Sequence, residues 1–122
     1  MKEVNDNSVH LRQVTGSLII NADDWGRDRR TTDQTLACLR RGGVSSVSAM
    51  VFMEDSERAA ATAREHGVDS GLHLNLTAPF SGRGCSSMLK ECQEKIARYL
   101  LRHRLAQVMF HPGLTGEFEY VV

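Results

Sequence analysis

The segment IINADDWG, residues 19–26, decides the fold, because a buried-looking apolar run ends there in two adjacent carboxylates and a glycine. Adjacent acids repel each other and resist desolvation, so packing alone gives no reason to end a strand with them. At the mouth of a sheet, one carboxylate can hold a metal ion while its neighbour moves a proton. Asp23 and Asp24 could equally begin a turn or cap the next helix. The segment predicts a strand and leaves both interpretations of the acid pair open.

A second segment, GLHLNLT at residues 71–77, alternates leucines with polar residues. A period of two predicts a strand. Its polar face would carry His73, Asn75 and Thr77, and histidine followed by asparagine is more typical of a site lining than of a solvated face. A single strand histidine is often only structural. In combination with the acid pair, His73 favours a functional site.

The predicted elements alternate between strands and helices along the chain. Strands are expected at residues 17–23, 46–53, 71–77 and 106–110, and Gly67 should end the helix before the third strand. Such alternation predicts parallel strands joined by right-handed crossovers. A complete eight-stranded barrel needs about 200 to 250 residues. We therefore expect an α/β fold, a partial (β/α) barrel of about four parallel strands alternating with helices, equivalent to half of a TIM-like barrel.

Composition and charge limit the partners and the compartment that we expect for this chain. Fifteen basic and fifteen acidic residues balance, which gives no electrostatic reason to expect nucleic acid or an anionic membrane as a partner. No apolar run approaches the roughly 20 residues that span a bilayer. Residues 1–16 lack a signal-peptide core and are expected to be a flexible leader before a single truncated domain at 17–122. Three cysteines without zinc-ribbon spacing favour the cytoplasm.

The two motifs together resemble the N-terminal part of the YdjC-like carbohydrate (chitooligosaccharide) deacetylase family. Between them, GVSSVSAMV at residues 43–51 resembles the second strand of that family, and the resemblance covers about residues 17–80. It implies a metal-dependent hydrolase that removes N-acetyl groups from amino sugars such as chitooligosaccharides. It also implies a divalent metal, with Mg or Zn favoured.

The resemblance further implies roles for individual residues. Asp24 and His73 would bind the metal, and Asp23 would act as the general base. Trp25 and Asn75 would contact the substrate. One Asp with histidines leaves coordination positions open for water and substrate.

The third ligand is not specified, because the later His-x-His segment of the family has no counterpart in this chain. His111 could be that ligand, could act as the catalytic acid, or could be a turn histidine before Pro112. A half barrel also leaves sheet edges unpaired, so we expect a homo-oligomer. Two alternatives stay open: a non-catalytic half-barrel binding or assembly module, and a metal hydrolase with another substrate.

Overall fold

The computed structural model describes residues 16–102 and 112–122. In these ranges, strands and helices alternate from the first strand to the third. A helix, a 3-10 turn at Pro112–Leu114 and a last helix come after the third strand. The strands are β1 (Asn21–Trp25), β2 (Ser46–Met50) and β3 (Asp69–His73), and the helices are α1 (Arg29–Arg40), α2 (Ser56–His66), α3 (Ser87–Arg102) and α4 (Thr115–Val121).

The strands form one parallel sheet in the order β1-β2-β3. The predicted α/β class, with parallel strands alternating with helices, is therefore confirmed. The fourth strand was predicted at residues 106–110, which lie outside the described residues. The half barrel is not confirmed and stays a prediction.

Two hydrophobic clusters lie on opposite faces of β2. Val47 and Met50 are three residues apart in a regular strand, so their side chains point to opposite faces. Val47 packs in the cluster that includes Ala59 of α2. Met50 packs in the cluster that includes Ile96 of α3 and Val121 of α4. Helices therefore cover both faces of the central strand.

The ends of α1 and α2 follow from local hydrogen bonding. Asp28 caps α1, since its Oδ1 accepts a 2.8 Å hydrogen bond from the backbone N–H of Thr31. This hydrogen bond, with a second from Arg27, holds the pKa of Asp28 below its usual value. Gly67 ends α2 in the left-handed conformation with φ of 61°, as the sequence predicted.

The apolar residues before β1 and in β3 are more exposed than their pattern predicted. Ile19 precedes β1 and is 76% exposed, so the expectation of a buried run at this point was wrong. Leu72 is 64% exposed, and β3 ends at His73 rather than continuing to residue 77. Both edge strands lack a neighbour on their outer side among the described residues. In the same ranges, no helix is long and apolar enough to cross a membrane.

Candidate functional site

The acid pair lies in a β-bulge. Ala22 pairs with Val47, but the next pairing joins Trp25 to Ala49, so β1 contains one more residue than β2 over this interval. Bulges of this kind redirect side chains and are frequent beside active sites. As a result, Ala22 and Trp25 both reach the same hydrophobic cluster although they are three residues apart.

The backbone of Asp24 adopts a conformation that is rare for a residue with a side chain. Its φ is 65°, in the left-handed region, where aspartate is tolerated better than most residues. Such strain persists only when the surrounding structure imposes it, and it is concentrated at functional sites. The bulge and the left-handed turn together direct Asp24 toward the end of β3.

Gly26 allows the chain to leave the bulge close to α2. Its φ is 92°, and a Cβ at this position would lie 3.2 Å from Ala59 Cβ and 3.2 Å from Ser56 Cα. The oxygen of Gly26 also accepts a 3.1 Å hydrogen bond from the backbone N–H of Asp55. The glycine that follows the acids is therefore required by both conformation and space.

Asp24 and His73 are brought together at the ends of β1 and β3. The backbone N–H of Asp24 donates to His73 Nδ1 at 3.2 Å, and Asp24 Oδ1 lies 3.4 Å from the same nitrogen. Both side chains are about one-third exposed. The contact joins residues 49 positions apart in the chain, and only the fold makes it.

This spacing suits two ligands of one metal ion. Donor atoms that each lie about 2.1 Å from a tetrahedral or octahedral ion are separated by roughly 3.0 to 3.4 Å. In the present arrangement Nδ1 accepts a hydrogen bond, which at 3.2 Å is at the long end of the usual range. Binding a metal through Nδ1 would replace that hydrogen bond.

Within the part of the chain that the structure describes, no third ligand joins this pair. Among residues 16–102 and 112–122, no cluster of three or more His, Cys, Asp or Glu residues could hold a metal ion. His111, which was predicted as a third ligand or catalytic acid, lies outside the described residues. Asp24 and His73 thus fit half of a metal site.

Arg27 fixes the orientation of the Asp24 carboxylate, a role that the sequence did not suggest. Its Nη1 contacts Asp24 Oδ2 at 2.7 Å, which leaves Oδ1 toward His73. Its Nε contacts Asp28 Oδ2 at 3.1 Å and so ties the same guanidinium to the N-cap of α1. The spacing of three residues from Asp24 was the only signal for this contact, and it is not specific.

Asp23 is exposed, whereas its neighbours Ala22 and Trp25 pack in the cluster around Val47. Its Oδ1 accepts a 2.9 Å hydrogen bond from Asn21 Nδ2. The same amide donates to Ser48 Oγ at 2.8 Å. Asn21 thereby holds the carboxylate in place while leaving it open to solvent, as a proton-accepting group requires.

Trp25 and Asn75 are both buried. Trp25 is fully buried, and its Nε1 donates to the Ala59 oxygen at 3.1 Å. Asn75 is 8% exposed and forms a turn, because its side chain exchanges two 2.9 Å hydrogen bonds with the backbone of Ala78. Gln93 of α3 donates to the same Ala78 oxygen. Trp25 and Asn75 support the fold in these positions, and the predicted contact of each with substrate stays a prediction.

Comparison with known proteins identifies the family of the chain. The sequence model of the YdjC-like protein family matches residues 17–92, which is more than half of the chain. The chain belongs to the YdjC-like family.

The curated relatives are much longer proteins. The chain is 38% identical over 77 residues to a human carbohydrate deacetylase, covering 59% of this chain and 24% of the relative. It is 41% identical over 61 residues to a carbohydrate deacetylase of Brevibacillus brevis (49% of this chain, 25% of the relative). It is 43% identical over 61 residues to a chitooligosaccharide deacetylase of an Enterobacter species (49% and 24%). The chain therefore spans about a quarter of the length of these relatives. No solved structure matches it significantly.

Proposed function

We propose that this chain carries the acid-pair half of a carbohydrate deacetylase site, which removes N-acetyl groups from amino sugars such as chitooligosaccharides. The observation that carries the proposal is the 3.4 Å approach of Asp24 Oδ1 to His73 Nδ1, created by the bulge in β1. The names of the matched relatives supply the substrate class. Asp24 and His73 are proposed as two ligands of a divalent metal, Mg or Zn, and Asp23 as the general base.

The reaction is hydrolysis of an amide. Water adds to the acetyl carbonyl carbon, the bond from that carbon to nitrogen breaks, and acetate and the free amine are released. When bound, the metal would polarise the carbonyl and lower the pKa of water. Asp23, exposed and held by Asn21, is placed to take the proton from the attacking water. A separate acid must protonate the departing amine, and His111 is the proposed residue.

Completion of the site requires a further ligand. His111 can supply it instead of acting as the acid, or a second copy of the chain can supply it. The second route is consistent with the exposed apolar residues directly beside the edge strands, such as Ile20 before β1 (46% exposed) and Leu74 after β3 (46% exposed). A homo-oligomer that pairs two half barrels is therefore part of the proposal. Multi-angle light scattering at micromolar concentration measures it, and a stable monomer would contradict it.

Metal content per chain after loading and desalting tests the half-site. We expect near-stoichiometric metal in the wild type and its loss in both Asp24→Ala and His73→Ala. Matched controls are Asp69→Ala and His66→Ala, which remove an aspartate and a histidine from exposed positions in other parts of the fold. Metal retained equally in the site variants and in the controls would contradict the ligand assignment.

Acetate release from chitooligosaccharides tests the chemistry. Asp23→Asn should retain metal and lose acetate release, because the amide cannot accept the proton from water. The second candidate function is a non-catalytic binding or assembly module. It is favoured by the lack of a three-ligand group within the described ranges. A wild-type chain that binds no metal and releases no acetate would support the module and overturn the enzyme.

A further inference from the structure

A cavity of about 470 Å³ opens beside the carboxyl end of β2, separate from the Asp24–His73 pair. Its walls come from the segment after β2, from the start of α2 and from the loop at residues 82–85. The lining mixes an aromatic ring, apolar side chains and charged groups, including Phe52, Met53, Glu57 and Arg83. Ligands of parallel α/β sheets bind beyond the carboxyl ends of the strands, which is where this cavity lies.

The backbone at Phe52 is strained where it meets the loop that carries Gly82. Its φ is 60°, a left-handed conformation that is unusual for a bulky residue. The Phe52 oxygen accepts a 2.8 Å hydrogen bond from the backbone N–H of Gly82 and a 3.4 Å contact from the thiol of Cys85. A Cβ on Gly82 would lie 2.9 Å from Phe52 backbone atoms, so only glycine allows this approach.

An exposed aromatic ring, that of Phe52, forms part of the cavity wall. Phe52 packs against Phe80 at a centroid distance of 5.2 Å, yet Phe52 stays 38% exposed while Phe80 is buried. Strained residues of this kind are concentrated at ligand sites. An exposed ring that is held in place by a neighbouring ring offers a flat apolar surface to a ligand.

The cavity lining includes charged groups from both sides of its opening, in α2 and in the loop at residues 82–85. In the described part of the chain, none of Glu54, Glu57 and Arg83 forms an ion pair. Carboxylates accept hydrogen bonds from hydroxyl groups, and a guanidinium donates to hydroxyl and carbonyl oxygens. A flat apolar ring beside such groups matches a sugar ring, which has apolar C–H faces and a polar rim.

The cavity is close enough to the Asp24–His73 pair to serve the same ligand. Met50 pairs with His73 across the sheet, and the next residue, Val51, lines the cavity. Gly26, two residues after Asp24, packs on Ser56 of the cavity wall. From these contacts, the Cα atoms of Asp24 and Ser56 are roughly 12 Å or less apart. A short oligosaccharide spans this separation.

We propose that the cavity is a subsite for a second sugar ring of an oligosaccharide whose N-acetylated ring lies at Asp24 and His73. The inference rests on the proposed function for the identity of the substrate. Phe52 supports one face of the ring, while Glu57 and Arg83 hydrogen-bond its rim. The subsite makes the chain selective for oligomers over single amino sugars.

Isothermal titration calorimetry with N-acetylglucosamine and with its β-linked tetramer tests the proposal on the full chain. The wild type should bind the tetramer more tightly than the monomer. Phe52→Gly should weaken tetramer binding by roughly three- to tenfold, because the aromatic face is lost. Its melting temperature should fall, because the entropy that glycine adds to the unfolded chain offsets the relief of left-handed strain and the contact with Phe80 is lost, so binding is compared at a temperature at which both proteins are folded. Tyr120→Ala, which removes an exposed ring from α4, is the matched control and should bind like the wild type.

Arg83→Gln provides a second variant that does not depend on the strained position. It should also weaken the tetramer and leave the monomer unchanged. Tetramer binding equal to monomer binding in the wild type, or undiminished in both variants, would overturn the subsite. Asp23→Asn separates the two proposals, because it should leave tetramer binding intact. If tetramer binding depends on Phe52 but the chain releases no acetate, the subsite is supported and only the proposed deacetylase activity is contradicted.

Discussion

Replacing Asp24 by glycine separates the chemistry of its carboxylate from the shape of its backbone. The left-handed φ of 65° is unfavourable for any residue with a Cβ, by about 1 kcal/mol or more. Glycine removes that strain but increases the entropy of the unfolded chain, which costs about 0.5 to 1 kcal/mol. The two effects nearly cancel.

The ion pair with Arg27, at 2.7 Å, is the shorter of the two side-chain contacts that Asp24→Gly removes; the other is the 3.4 Å approach to His73. The partners of the ion pair are 48% and 34% exposed, so solvent screens the pair and its loss costs about 0.2 to 1 kcal/mol. We therefore expect Asp24→Gly to lower the free energy of unfolding by about 1 kcal/mol or less. Asp24→Ala loses the same ion pair and tolerates the left-handed region less well than aspartate does, so it should be less stable than Asp24→Gly by about 0.5 to 1 kcal/mol.

Urea unfolding followed by tryptophan fluorescence measures both values. Trp25 is the single tryptophan and is fully buried beside the bulge, so its emission reports the unfolding of this region. Equal stability of the alanine and glycine variants would show that residue 24 is not left-handed. The same samples should have lost metal in the desalting assay. A glycine variant that is stable and still holds metal would refute the assignment of Asp24 as a ligand.

Three further predictions concern stability. Asp55→Asn should lower the free energy of unfolding by about 1 to 3 kcal/mol, since Asp55 is 9% exposed and accepts hydrogen bonds from Arg58 at 2.6 to 3.1 Å. Burial works to raise the pKa of Asp55, but the hydrogen bonds from Arg58 and Thr32 outweigh it and the pKa is lowered. The ionised Asp55 therefore stabilises the fold at pH values above its usual pKa of 3.8, and this stabilisation should fade as the pH falls through the lower pKa of the folded state. A difference in unfolding free energy between the wild type and Asp55→Asn that stays constant in acid would contradict this. Gly26→Ala should cost more than about 1 kcal/mol in urea unfolding, because φ is 92° and the Cβ is crowded at 3.2 Å; a neutral effect would contradict the close packing on α2. Ile96→Ala should cost about 2 to 5 kcal/mol by thermal or urea unfolding, and the exposed Met88→Ala on the same helix is its control; similar losses in both would contradict the placement of Ile96 in the core.

The sequence by itself determined the order and type of the main elements. Hydrophobic periodicity and glycine positions are local properties, so they predicted the parallel α/β arrangement and the end of α2 at Gly67. The motifs at residues 19–26 and 71–77 also carried the family resemblance, and the family match covers both. These features depend on neighbours along the chain and can be read from it.

Burial was decided by the tertiary structure. Alternating leucines predicted an apolar face for β3, but whether that face is covered depends on which elements pack on it, and Leu72 is 64% exposed. Asn75 has the same alternation as His73, yet it lies beyond the end of the strand and turns inward to Ala78. A pattern of period two shows which residues share a face, and it does not show what lies against that face.

The geometry of the candidate site also came from the tertiary structure alone. Two adjacent aspartates in a regular strand point to opposite faces, and nothing local in the sequence marks the bulge that changes this. The bulge, the left-handed Asp24 and its contact with His73 depend on pairing between β1 and β2 and on the position of β3. Residues 49 positions apart meet only after the sheet has formed, so the sequence could name both side chains but not the distance between them.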